Sequence, residues 1–140
     1  MSRPLLDYIL ICDYAFPDYQ GKMSAIGIFD TISVSQLPAT HTQLFIVARI
    51  RGEPGQSFKS RIRVLDPTEQ VNCESPEAPV HLRGSGHFHM YVVRPMQLTV
   101  PGRYLVQVLI DGTLAGSTPL IVKLSRPSVR EVPRDQPGPG

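Results

Sequence analysis

Leu98–Val122, LTVPGRYLVQVLIDGTLAGSTPLIV, decides the fold of this chain. A Pro101-Gly102 turn opens it, and Tyr104, Val106, Val108 and Ile110 then alternate with residues of the opposite face. Asp111-Gly112 separates this run from a second apolar run that ends at Leu124. Period-two alternation predicts half-buried strands, and Asp-Gly between two of them predicts a tight hairpin. Gly102-x-Tyr104-x-Val106-x-Val108 has the form of a tyrosine corner leading into the penultimate strand of an immunoglobulin-like sandwich. This argues a fold, and a fold does not name a function.

Working outward, the whole chain of 140 residues suits one domain. Such a length buries roughly two-thirds of its unfolded surface, so no disulfide or metal is needed for folding. Fourteen Lys and Arg against twelve Asp and Glu leave +2, too little to argue for nucleic acid or an anionic membrane. Cys12 and Cys73 read as a buried strand thiol and a loop thiol in a reducing compartment. At the N-terminus Arg3 offers a charged start, but Asp7 interrupts the apolar stretch and no small-x-small site follows. A secretory leader is therefore not expected, nor is a membrane helix of ~20 apolar residues. The expected location is the cytoplasm.

Fourteen prolines and eleven glycines punctuate the chain into short strands. The pattern predicts strands at Asp7–Tyr14, Met23–Gln36, Leu44–Ile50, Phe58–Val64, Val80–Arg83 and His87–Val93, before the closing hairpin. Gly27 lies inside the second of these and marks a bulge or a close approach. Gly84-Ser85-Gly86 reads as the loop of a further hairpin. No segment carries the apolar period of an amphipathic helix. The sum is an all-β sandwich of about seven or eight antiparallel strands over residues 1–124. The stretch 125–140, proline-rich and poor in apolar residues, is expected to be a disordered tail.

ICDYAFPDYQGKMSAIGIFDTISVSQLPATHTQLFIVARIRG resembles the opening of a bacterial family of small uncharacterised proteins. The matching positions are Asp13, Gly21-Lys22, Gly27, Asp30, Pro38 and Arg49-Ile50-Arg51-Gly52, followed by Gly102-x-Tyr104, Asp111-Gly112 and Pro119-Leu120. The resemblance spans most of residues 7–124. It implies an immunoglobulin-like β-sandwich and no known activity.

Catalytic motifs fail on inspection. Gly21-Lys22-Met23-Ser24 lacks the phosphate-loop glycine, since position 16 is Phe16, and Met23 replaces the metal-binding hydroxyl. Gly84-Ser85-Gly86 follows Arg83 and precedes no helix, so it is no nucleophile elbow. No enzyme activity and no cofactor are expected. His81, His87 and His89 are close enough to form a metal site if residues 84–86 close a hairpin. Arg83 would then sit beside His87 and repel a dication, so no bound metal is expected.

Two further constellations follow from strand phase. Arg49 and Arg51 share one strand face, and Lys59, Arg61 and Arg63 share the next. If the Gly52–Gly55 reversal brings these faces together, they form an anion site, although nucleic acid is not the favoured ligand. Phe45 and Val47 are out of phase with the core positions of their strand, as are Leu105, Leu109 and Ile121 of theirs. In an immunoglobulin-like order the third, sixth and last strands share a sheet, so these five predict one exposed apolar face. Coverage by residues 71–79 or by the tail is the alternative. The reading is a non-catalytic binding or assembly module, partnered by a second copy of itself or by another protein.

Overall fold

The structure, a computed structural model, describes residues 3–125, so all of the expected tail at 125–140 except Ser125 lies outside the described residues. Twelve strands and no helix occur among the described residues. β1 (Leu5–Pro17), β2 (Met23–Ile28), β5 (Leu44–Arg51) and β9 (Gly86–Val93) form one sheet in the order β2-β1-β5-β9. In the second sheet, β3 (Thr31–Val34), β12 (Thr113–Leu124), β11 (Gly102–Ile110) and β6 (Ser57–Leu65) lie in that order. β7 (Val71–Glu74) and β8 (Ala78–His81) share the far edge of β6. β4 (Ala39–His41) and β10 (Met96–Leu98) make a small separate pair. The strand pairs are antiparallel except β3 with β12. The architecture is an all-β, immunoglobulin-like sandwich.

Alternation fills the space between the sheets. Leu44, Ile46, Ala48 and Ile50 of β5 face Ile62 and Val64 of β6, Tyr104, Val106 and Val108 of β11, and Leu120 and Val122 of β12. Each large side chain buried this way contributes about 1.5–3 kcal/mol. The closing hairpin follows its sequence. Asp111 and Gly112 have φ of 52° and 78°, the two left-handed residues of a primed hairpin turn. The fully buried Tyr104 donates its hydroxyl to the Val100 carbonyl at 2.7 Å, completing the tyrosine corner. Gly102, at φ +132°, lets the turn pass close to Pro67, where a Cβ would stand 3.0 Å from the ring.

The expected strand at Met23–Gln36 is divided. β2 ends at Ile28, and the next two residues are tied to different sheets. Phe29 N–H donates to the Ile11 carbonyl at 2.9 Å, whereas the Asp30 carbonyl accepts from Ile121 N–H at 2.8 Å. The chain crosses to the second sheet here for β3 and returns to the first for β5. β5 therefore pairs with β1 and β9, away from β11 and β12.

A second correction concerns the glycines at 84–86. β8 pairs with β6 and β9 pairs with β5, so the chain crosses between sheets instead of closing a hairpin. Gly52 N–H donates to the Ser85 carbonyl at 2.9 Å, which places the two crossovers side by side.

β1 does more than one strand's work. It pairs with β5 as far as Cys12 opposite Phe45, then with β2 as far as Pro17 opposite Met23. Pro17, Gly21 and Met23 nevertheless share a cavity with Arg49, Phe88 and Met90, at the other end of β5 from Phe45. The β1–β2 hairpin has therefore folded back over the outside of its own sheet. Five residues at ~3.4 Å each give ~17 Å, enough to travel back from Phe45 to the level of Arg49. Ala15, Met23 and Ala25 on its underside pack with Phe45, Val47, Phe88, Met90 and Val92 in a second apolar cluster.

Candidate interaction surface

The fold-back leaves the hairpin's other face outward. Tyr14 stands opposite Ile26, Cys12 opposite Ile28, and Phe16 opposite Ser24. Tyr14, Phe16, Ile26 and Ile28 are 47%, 37%, 57% and 61% exposed, whereas Cys12 and the underside residue Ala15 are buried. The Tyr14 and Phe16 rings lie 5.6 Å apart, and Tyr14 meets the Phe45 ring edge-on at 5.1 Å. The tip is held by Asp18, whose Oδ1 accepts from Gln20 N–H at 2.8 Å and from Lys22 N–H at 2.9 Å. This turn presents Tyr19 almost wholly to solvent. The outer edge of β2, MSAIGI, carries no charge and no proline, the usual guards against strand pairing. The signal was legible in part: Tyr14 and Phe16 alternate before the Pro17–Lys22 turn as Ile26 and Ile28 do after it.

The face expected from Phe45, Val47, Leu105, Leu109 and Ile121 does not exist as one surface. Phe45 and Val47 lie on the outer side of the first sheet and are buried beneath the hairpin. Leu105, Leu109 and Ile121 lie on the outer side of the second. There Leu105 stands between Leu65 and Pro119, and Leu109 opposite Arg61. The cause is the excursion through β3, out at Phe29-Asp30 and back before β5, which leaves β5 in the sheet of β1 and β2.

The five cations part in the same way. Arg49 and Arg51 sit on β5 and Lys59, Arg61 and Arg63 on β6, and the Gly52–Gly55 reversal carries the chain between sheets. Arg51 Nε donates to Asp7 Oδ2 at 2.7 Å, and Arg63 Nε to Gln107 Oε1 at 2.7 Å. A combined anion site is excluded by this separation.

The histidines separate too. His81, on β8, shares a 2.9 Å hydrogen bond between Nδ1 and Ser57 Oγ. His89, on β9, shares one of 2.7 Å between Nδ1 and Ser60 Oγ inside the sandwich. Among the described residues no three His, Cys, Asp or Glu side chains are grouped to hold a metal. Among the described residues no carboxylate hydrogen-bonds the His81 imidazole, so the Ser57–His81 pair lacks the orienting third member of a hydrolytic triad.

Burial pushes the His89 imidazole below its ordinary 6.5, and the neighbouring His87 adds to this. His87 is lowered by burial and then by Arg49. Below about pH 6.5 the unfolded chain binds protons that these folded histidines refuse. Their contribution to stability is therefore complete above that pH and is lost as pH falls. Denaturant midpoints should drop between about pH 7.5 and about pH 5, and the drop should shrink in His89→Gln. An unchanged pH dependence in that variant would remove His89 from the account.

Cys73 lies on a short strand, not in a loop, and its thiol is pushed up to about 11, chiefly by burial. Cys12 is also raised by burial, and both cysteines are free thiols.

A family model described as "Family of unknown function (DUF6941)" matches residues 7–123. The chain belongs to that family. This agrees with the resemblance drawn from the turns and strand ends, and with a family that has no assigned activity. A search of the curated proteins finds no match. Among solved structures, the alkylpurine DNA glycosylase AlkC of Pseudomonas fluorescens, bound to DNA containing an abasic site analog, is similar with a TM-score of 0.52 at 10% identity. The match covers 86% of this chain and 30% of the glycosylase, so the likeness is to a part of that protein and is one of fold. An immunoglobulin-like protein from Pseudomonas aeruginosa matches with a TM-score of 0.46 at 14% identity, covering 86% of this chain and 97% of that one.

Proposed function

We propose that this chain is a non-catalytic, cytoplasmic binding module that self-associates through the outer face of the β1–β2 hairpin. The observation that carries the reading is the exposure of Tyr14, Phe16, Ile26 and Ile28 on one hairpin, beside an edge strand with no charge and no proline. Apolar patches of this kind on a small domain usually mark protein contacts. A two-fold pairing uses one patch twice, so a single apolar face is sufficient. The dispersal of the cations over two outer faces supports a protein partner over nucleic acid. Two cysteines left as thiols support a reducing compartment. Among the described residues no helix is long and apolar enough to cross a membrane.

Sedimentation velocity on the wild type and on an Ile26→Glu, Ile28→Glu double variant tests this. The wild type should sediment as a dimer at micromolar concentration, and the variant as a folded monomer. Both side chains are more than half exposed, so the substitutions should cost little stability. A monomeric wild type throughout that range refutes self-association, and an undisturbed dimer in the variant refutes the assigned face.

A further inference from the structure

Arg49 stands on the outward face of β5, opposite Phe88 of β9 and Tyr8 of β1. Its guanidinium lies over the Phe88 ring, 4.3 Å from the centroid. Gly86 makes room for it: a Cβ there would stand 2.5 Å from Nη2 and 2.6 Å from Cζ. Stacking occupies the face of the guanidinium and leaves its in-plane N–H groups to donate. Among the described residues no carboxylate lies within ion-pairing distance of Arg49, whereas the more exposed Arg51, two residues on, holds Asp7. A preorganised cation without a counter-charge thus forms part of the wall of a cavity of about 440 Å³. The rest of that wall includes Pro17, Met23, Phe88 and Met90. A volume of this order suits a small ligand, and methionines adapt to varied apolar shapes.

We propose that Arg49 and this cavity bind a carboxylate carried on an apolar body. The bidentate fork of Arg49 takes the carboxylate, and the space between the hairpin tip and β9 takes the apolar part. One fixed charge matches a monoanion better than a phosphate dianion, because His87, the other titratable lining group, is kept toward its neutral form by burial. Two natural sources share this chemistry: a fatty acid and the C-terminus of a peptide with an apolar last residue.

The test is an NMR titration of ¹⁵N-labelled protein with octanoate, with N-acetyl-leucine and with inorganic phosphate, following the Gly21 and Gly86 amides and the Arg49 Nε–H. Saturable shifts with a carboxylate probe are expected, with affinity at least about tenfold weaker in Arg49→Gln. Gly86→Ala, which displaces the guanidinium without removing its charge, should weaken binding as well. Tighter binding of octanoate assigns the lipid source, and tighter binding of N-acetyl-leucine the peptide source. No saturable shift with either carboxylate at about 10 mM, which corresponds to a binding free energy of only about −3 kcal/mol, overturns the proposal. So do equal affinities in wild type and both variants, or phosphate binding as tightly as the carboxylates. Dispersed spectra confirm that each variant is folded.

Discussion

Tyr104→Ala should destabilise the protein by about 3–5 kcal/mol, the usual range for removing a buried aromatic side chain. Tyr104→Phe should cost about 1 kcal/mol, the worth of one hydrogen bond with its acceptor left behind. The difference between the two comes from geometry. The ring is fully buried and packs with the Val106 and Leu120 cluster, whereas the hydroxyl reaches back to Val100 across the Pro101-Gly102 turn. Phenylalanine keeps the packing and gives up the tie on the turn. Denaturant midpoints with unchanged slope measure both changes. A Tyr104→Ala midpoint close to wild type would mean that the corner does not anchor the penultimate strand.

The closing hairpin could be read from sequence because everything that specifies it is local. Asp111-Gly112 sets the turn, alternation sets the face, and Gly102 sets the entry to the strand. The crossing at Phe29-Asp30 is different in kind. No proline or glycine marks it at those two residues, and Ile26, Ile28 and Ile32 stay in phase across it. What bends the chain there is a choice of hydrogen-bond partners, Ile11 on one side and Ile121 on the other, both distant in sequence. Gly84-Ser85-Gly86 misleads for the same reason, since a glycine loop that closes a hairpin and one that crosses between sheets share a composition. Alternation says which residues share a face of a strand, never which sheet holds the strand. All three site constellations depended on that second fact. The cations, the histidines and the expected apolar face each joined residues that the fold assigns to different sheets.

Val47 and Leu105 show the consequence, because one reading of the sequence placed both on a single exposed face. Val47→Glu should destabilise the protein by about 3–5 kcal/mol and prevent folding if the native state is only marginally stable. Val47 is fully buried between the first sheet and the folded-back hairpin, among Phe45, Met90 and Ala15. The side chains that pack around this position are apolar and offer a carboxylate no hydrogen bond. The hairpin must then either lift off, exposing the cluster, or enclose an unpaired charge. Leu105→Glu is expected to change stability by about 1 kcal/mol or less, because Leu105 lies half-buried on the outer side of the second sheet, between Leu65 and Pro119. Circular dichroism and denaturant melts of the two single variants separate the cases. Equal, small effects would mean that nothing covers Val47, and the fold-back of the β1–β2 hairpin would have to be abandoned. A large loss for Val47→Glu alone places the hairpin over β5 and β9, which leaves its outer face as the apolar surface available to a partner.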